Sequence, residues 1–240
     1  MTKIEWTNRT WNPVTGCTKC SEGCKNCYAE VMTRRLKGTG NKKYANGFKV
    51  TTHEDVLDEP DKWTNPSLIF VCSMSDLFHE EVPFTFIDKV MDTIRVNPWH
   101  IFQILTKRAD RMEEYYRTRE VPNNAWIGVT VENEKAKKRI EHLNNIDTTA
   151  VRFISCEPLL EDLGERNLYT IDWVSVGGER GRNARPMKEE WVLNIKRQAD
   201  AEDAAFFFKQ WGAWGADGMK RNKKENGSLL QGKLWRCFPV

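Results

Sequence analysis

Six short apolar runs, each separated from the next by a charged or helically spaced stretch, organise residues 67–208, and this alternation constrains the fold most. The runs are Ser67–Ser73 (SLIFVCS), His100–Leu105 (HIFQIL), Ala125–Val131 (AWIGVTV), Val151–Ser155 (VRFIS), Trp173–Val176 (WVSV) and Ala205–Phe208 (AFFF). They are near-continuously apolar, as strands are when both faces are covered. Between them, Pro83 opens the helically spaced FTFIDKVMDTI, and Ala109–Tyr116, Glu134–Leu143 and residues 188–202 read as further helices, the last led by Glu189 and Glu190. No helix is evident after Val151–Ser155. Strand followed by helix, repeated, predicts parallel strands with crossover helices. A closed eight-fold barrel usually needs about 250 residues. Here the first 60 or so residues and the last 30 offer few strand signals. The expected fold is therefore α/β, a partial (β/α) barrel of about six parallel strands, with an open doubly wound sheet as the alternative.

The expected organisation is one partial-barrel domain over residues 1–210, followed by an irregular Trp-, Lys- and Gly-rich tail over 211–240 packed on it. Ala29–Leu36 reads as a short helix, and residues 38–66 as a long excursion rich in Gly, Lys and Asn. The chain has 240 residues and 37 Lys or Arg against 34 Asp or Glu, a balance that neither demands nor excludes a nucleic-acid partner. No apolar run reaches the length of a membrane span, and the N-terminus lacks a secretion-type apolar core. The expected location is the cytoplasm, a reducing compartment where clustered cysteines bind metal or do redox chemistry more often than they form disulfides.

Four of the seven cysteines, Cys17, Cys20, Cys24 and Cys27, fall in one short loop, and Cys72, Cys156 and Cys237 are scattered and read as buried thiols. Cys20, Cys24 and Cys27 have the spacing C-x3-C-x2-C. Three thiolates so close on one loop can bind three irons of a cubane cluster and leave the fourth open to chelate a small molecule. The spacing is similar to that of radical S-adenosylmethionine enzymes, which implies a [4Fe–4S] cluster, S-adenosylmethionine and a 5′-deoxyadenosyl radical. The two CxxC pairs also admit a four-Cys zinc site, but zinc ribbons space their pairs by about 15–20 residues. A four-Cys electron-carrying cluster and a thiol–disulfide site are the remaining readings.

TWNPVTGC at 10–17, GCKNCYAE at 23–30, SMSDLFHEEVP at 73–83, FQILTKRADRM at 102–112, SCEPLL at 155–160, VGGERGRNARPM at 176–187 and FFFKQWG at 206–212 cover most of the chain in order. Together they resemble a phage-encoded three-Cys-motif family related to the radical S-adenosylmethionine superfamily. That resemblance places the first ligand at Cys17, giving Cys17, Cys24 and Cys27, with Cys20 as the alternative to Cys17. It implies an electron donor such as flavodoxin or ferredoxin and, for a phage protein, the host cytoplasm. It does not define a substrate. Tyr28, beside the last cysteine, is expected to pack near the cluster.

Polar or glycine residues follow almost every strand, and ligands of barrels and open α/β sheets bind at such C-terminal strand ends. Ser73, Ser75 and Asp76 stand where groups meeting the cofactor's amine are expected. Lys107 and Arg108 suit the cofactor carboxylate or a substrate phosphate, and Glu132 and Asn133 suit ribose hydroxyls. At Gly177 and Gly178 a backbone can approach a ligand closely, and Glu179 can accept hydrogen bonds from an ammonium or hydroxyl; a tight turn is the plainer alternative. Arg180, Arg182 and Arg185, with Asn183, form a basic loop able to hold a phosphate, and His79 is the histidine nearest this face. These four, Arg180, Arg182, Arg185 and His79, are the expected substrate contacts. Trp211, Trp214 and Trp235 can either stack on bases or cap the open barrel, the latter being the preferred reading. No phosphate-binding P-loop motif and no H-x-x-x-H pair occurs. The expected function is therefore a radical enzyme acting on a nucleotide or nucleic acid, the alternative being a zinc-stabilised nucleic-acid-binding module without catalysis.

Overall fold

The computed structural model describes residues 4–239. Seven strands form one all-parallel sheet: β1 (Arg9–Trp11), β4 (Leu68–Val71), β5 (Ile101–Thr106), β6 (Ala125–Thr130), β7 (Arg152–Cys156), β8 (Trp173–Gly177) and β9 (Ala205–Gln210). Two short antiparallel pairs lie outside it, β2 (Val14–Thr15) with β3 (Thr51–Thr52), and β10 (Leu229–Leu230) with β11 (Lys233–Leu234). The sheet order β1-β4-β5-β6-β7-β8-β9 follows the chain without reversal. A doubly wound sheet must reverse its order at a switch point, so that alternative is excluded. The first and last strands do not pair with each other, so the sheet is a half-barrel.

The six expected strands all form. The seventh, β1, lies in the N-terminal stretch that carries little strand signal. It is three residues long and contains no apolar run; it exists because Arg9, Thr10 and Trp11 align with Ile69, Phe70 and Val71 of β4. The helices are α1 (Tyr28–Gly38), α2 (Phe84–Val96), α3 (Ala109–Tyr116), α4 (Lys138–Asn144), α5 (Glu189–Ala201) and a short α6 (Lys223–Asn226). The expected helix over Glu134–Leu143 divides into a 3-10 turn at Glu134–Ala136, capped by Asn133, followed by α4. In α2 the buried positions Phe86, Ile87, Val90, Met91 and Ile94 repeat at helical spacing.

Alternation along the strands separates two faces. Ile69, Val71, Phe102, Ile104, Ile127, Val129, Ile154, Val174, Val176, Phe206 and Phe208 belong to the large core beneath the helices. Leu68, Phe70, Ile101, Leu105, Trp126, Phe153, Trp173 and Phe207 form a separate cluster with Trp6 and Phe238 on the concave face. Trp173 is its hub, with ring centroids 5.8 Å from Trp6, 5.8 Å from Trp126, 5.4 Å from Phe153 and 5.5 Å from Phe238. This aromatic floor closes the concave face towards one end of the strands.

The tail also covers the free edge of β9. Phe208 N–H donates to the Trp235 carbonyl at 2.9 Å and Cys237 N–H to the Phe206 carbonyl at 3.1 Å, which removes an unpaired strand edge. Trp211 is buried, Trp214 donates from Nε1 to the Ala184 carbonyl at 2.7 Å, and Lys196 Nζ lies 4.0 Å from the Trp235 ring. These three indoles serve packing. Cys72 and Cys156 are buried, and burial pushes both thiols up to about 12. Cys237 departs from the expectation of a buried thiol, because the edge pairing of its backbone leaves the residue exposed. Among the described residues no helix is long and apolar enough to cross a membrane.

Candidate active site

The cysteine loop is fastened across the C-terminal ends of the strands. Gly16 N–H donates to the Met74 carbonyl at 3.2 Å, and Tyr28 Oη donates to the Ser73 carbonyl, both just past β4. Past β5, Arg108 donates to the Thr18 carbonyl at 3.2 Å and to Thr18 Oγ1 at 3.0 Å, and its Nη1 lies 3.6 Å from Cys17 Sγ. Past β6, Glu132 Oε1 accepts from Gly23 N–H at 3.3 Å. Past β8, Arg185 donates to the Glu22 carbonyl at 3.0 Å and Asn26 to the Asn183 carbonyl at 3.0 Å. Four strand exits thus hold one loop. Gly16 cannot be replaced at its end of the loop: its φ is +80°, and a Cβ would lie 2.1 Å from the Lys49 carbonyl oxygen.

The thiols of Cys17, Cys20 and Cys24 influence one another. A hydrogen bond with Cys20 draws Cys24 down towards the thiolate, aided by the Lys107 ammonium, and Cys20 moves up correspondingly. Cys17 is pushed up to about 11 by burial and the Asp76 charge, against the pull of Arg108. Cys27 stands apart at the N-cap of α1, partly packed against Ala29, Tyr44 and Met74. Among the described residues no three His, Cys, Asp or Glu side chains converge on one metal ion. A cubane cluster asks for something different, one thiolate for each of three separate irons. Four thiols on one loop, one of them drawn towards the thiolate, supply the donor chemistry for such a cluster.

The expected cofactor residues are mostly engaged with one another. Ser73 Oγ donates to Asn12 Oδ1 at 3.1 Å and Ser75 Oγ to the Val14 carbonyl at 2.7 Å, so both hydroxyls hold the N-terminal segment. Asp76 accepts from Phe78 N–H, Thr106 Oγ1, Lys107 N–H and Arg108 Nη1, between 2.7 and 3.2 Å. Arg108 in turn donates to Glu80 at 2.7 Å. Lys107 Nζ reaches Thr130 Oγ1 at 3.2 Å. Burial opposes ionisation of Glu132, but Arg139, 2.7 Å away, and Lys107 hold its carboxyl below the usual range. Asn133 caps the turn that follows β6 instead of facing the mouth.

Gly177 and Gly178 meet protein at the places where the sequence predicts room for a ligand. A Cβ on Gly178 would lie 1.9 Å from the Trp211 carbonyl oxygen, and one on Gly177 would lie 3.2 Å from the Glu157 carboxyl carbon. The tail occupies the space that Gly178 leaves, and the side chains of Glu157 and Gln210 occupy that of Gly177. Glu179 is buried and paired with Arg185 at 2.6 Å, and this guanidinium holds its carboxyl low against the effect of burial. Arg185 is therefore a clamp between Glu179 and the cysteine loop. Arg180 lies 3.7 Å from Glu5, and Arg182 is exposed. The His79 side chain is buried: Nδ1 accepts from Glu81 N–H at 3.1 Å, so the neutral ring carries its proton on Nε2 and donates to Thr18 Oγ1 at 2.8 Å. Burial and the Arg108 charge keep it neutral. It positions the residue after Cys17 and is closed off from the mouth.

Glu157, Lys209 and Gln210 are among the polar residues that follow strands in the sequence and mark the expected ligand face, but no individual role is expected of them. Lys209 and Glu157 form a pair at 2.6 Å, and Lys209 Nζ lies 5.6 Å from the Trp6 ring. Gln103 Oε1, Ser175 Oγ and Gln210 Oε1 are buried without a hydrogen-bond partner. Their only sequence signal is position: a polar residue inside or just past an apolar strand. Arg139 has no signal at all, since a helical arginine usually faces water. Two surface clefts, one lined by Arg95, Pro98, Asn123 and Trp126 and the other by Pro186, Glu190 and Gly215, include no residue of the cysteine loop.

Fold and site together define an α/β half-barrel roofed by a four-cysteine loop. The chain belongs to the family described as "Protein of unknown function (DUF5131)", whose model matches residues 1–239. A comparison with curated proteins finds no match. Among solved structures it is similar to a mutant of spore photoproduct lyase, with TM-score 0.48 and 10% identity over 78% of this chain and 59% of that one. A second mutant of that protein, with bound AdoMet and dinucleoside spore photoproduct, gives TM-score 0.45 and 9% identity over 80% of this chain and 60% of the other. The chain thus spans about three-fifths of the length of the structures it matches.

Proposed function

We propose that this protein is a radical S-adenosylmethionine enzyme, with a [4Fe–4S] cluster held by Cys24, Cys27 and either Cys17 or Cys20. The observation that carries the reading is the fastening of a four-thiol loop to the C-terminal ends of β4, β5, β6 and β8, where α/β barrels bind their ligands. Bound together, cluster and S-adenosylmethionine supply a 5′-deoxyadenosyl radical. The chain's own part is to orient and shelter. Arg108 and His79 hold the first turn of the loop through Thr18, and Glu132 and Arg185 hold its middle. Lys107 Nζ and the partnerless atoms Gln103 Oε1, Ser175 Oγ and Gln210 Oε1 offer polar contacts to a cofactor or substrate on the concave side. Exposed Arg182, with Arg180 beside it, favours a substrate bearing phosphate, and a nucleotide or nucleic acid is the class proposed.

Anaerobic reconstitution with iron and sulfide tests this. The reading expects about four irons per chain and 5′-deoxyadenosine on addition of dithionite and S-adenosylmethionine. Cys24→Ala and Cys27→Ala should each abolish iron binding, whereas of Cys17→Ala and Cys20→Ala only one should. A colourless protein that binds one zinc per chain would instead support a zinc-stabilised binding module.

A further inference from the structure

Helix α1 begins immediately after Cys27, and its exposed face is unusual for a surface helix. Val31 and Met32 are 48% and 40% exposed on its solvent side. Tyr28, at i−3 and i−4 from them and 56% exposed, has its hydroxyl held at the mouth by the Ser73 carbonyl, so the three form an apolar stripe that runs from the mouth along α1. The other large exposed apolar residues of the described chain lie elsewhere: Val96 at the end of α2 and Trp99 just past it, Leu229 opposite Leu234 in the β10–β11 pair, and Tyr169 and Met219 singly. Cations surround the stripe. Residues 19–49 carry eight Lys or Arg against two Glu, a net +6 in a chain whose total is +3. Lys25, Arg35, Lys37 and Lys42 are all exposed, and Arg35 lies between Tyr28 and Val31 on the helical wheel.

We propose that this stripe is the docking face for an acidic one-electron carrier protein, an inference that rests on the proposed cluster. Docking there would bring the carrier's redox centre next to Cys27, so that one electron leaves the carrier, which is oxidised, and enters the cluster, which is reduced. An apolar centre with a basic rim matches a partner surface with an apolar centre and an acidic rim. Val31 and Met32 favour protein over nucleic acid, because an aliphatic side chain gives a base little to stack on.

The test uses the full chain and an acidic flavodoxin hydroquinone as the probe. The combined substitutions Val31→Glu, Met32→Glu and Arg35→Glu lie on the solvent side of α1 and replace no group in the cysteine loop. The triple variant is expected to bind the flavodoxin about tenfold or more weakly, and to lose the salt dependence of that binding. Its cluster should be reduced correspondingly more slowly by flavodoxin, yet at an unchanged rate by dithionite. Equal flavodoxin affinity in both proteins would overturn the proposal. So would an unchanged flavodoxin affinity accompanied by lost binding of a single-stranded oligonucleotide, which would assign the face to nucleic acid. If no cluster can be loaded, the enzyme reading fails on its own; flavodoxin affinity of the cluster-free protein, weakened in the triple variant, would still support the docking face.

Discussion

The two ends of the concave face are built on opposite principles. At one end Trp173 gathers Trp6, Trp126, Phe153, Phe207 and Phe238 into an aromatic floor. At the other, Asp76, Arg108, Glu132, Arg139, Glu179, Arg185, Glu157 and Lys209 stand partly or wholly out of water and neutralise one another. The floor gains free energy by removing apolar area from water. Buried ion pairs gain little net stability, because desolvation offsets most of their attraction. A chain under pressure for stability alone would have little reason to assemble eight charges at one rim. The contrast teaches that the floor is built for the fold, and that the mouth is built to hold the cysteine loop.

The largest expected effect that sharpens this comparison is at the floor. Trp173→Ala removes the hub and should cost about 3–5 kcal/mol, read as a lower denaturation midpoint. The fraction that remains folded should bind iron normally. Next comes the mouth. Arg108→Ala leaves Asp76 buried without its cation and should cost about 3 kcal/mol, the low end for breaking a buried pair. Here the folded fraction should lose iron-binding capacity as well, because Thr18 and Cys17 lose their tether. Asp76→Asn in the Arg108→Ala background should cost less than the same change alone, and a double-mutant cycle measures that coupling. Equal iron loading in the Trp173 and Arg108 variants would break the distinction between the two ends.

The smallest effect is in pH. His79 is held neutral in the fold, its pKa lowered from 6.5 by burial. A lowered folded pKa stabilises above the unfolded value, and that contribution is lost as pH falls through the folded one. Glu132, also lowered, follows the same sign at more acidic pH. Stability should therefore decline from about pH 6.5 downward, first through His79 together with His53 and His100, whose values burial also lowers. In His79→Asn that decline should become shallower in pH-dependent denaturation, the remainder coming from His53 and His100.

Much of the scaffold was legible because it rests on local pattern. The six long strands announce themselves as apolar runs, and the cysteine loop is contiguous in sequence. What escaped depends on partners distant along the chain. Strand β1 exists through its pairing with β4, some 60 residues later. The roles of Asp76 and Arg108 are set 32 residues apart, and that of Arg185 by a loop 163 residues before it. Residue type placed Glu179, Arg185 and His79 among ligand contacts, whereas packing uses them as clamps. Gly178, just after β8, makes room for the tail, a relation invisible until Trp211 is seen against it.

The central claim is that the loop presents a cluster with one open iron to the mouth. Electron paramagnetic resonance of the reduced, reconstituted protein, recorded with and without S-adenosylmethionine, tests it most directly. The account expects a reduced cubane signal whose g-values shift when S-adenosylmethionine binds the open iron. A signal indifferent to S-adenosylmethionine, in protein that needs all four loop cysteines to hold its iron, would contradict it.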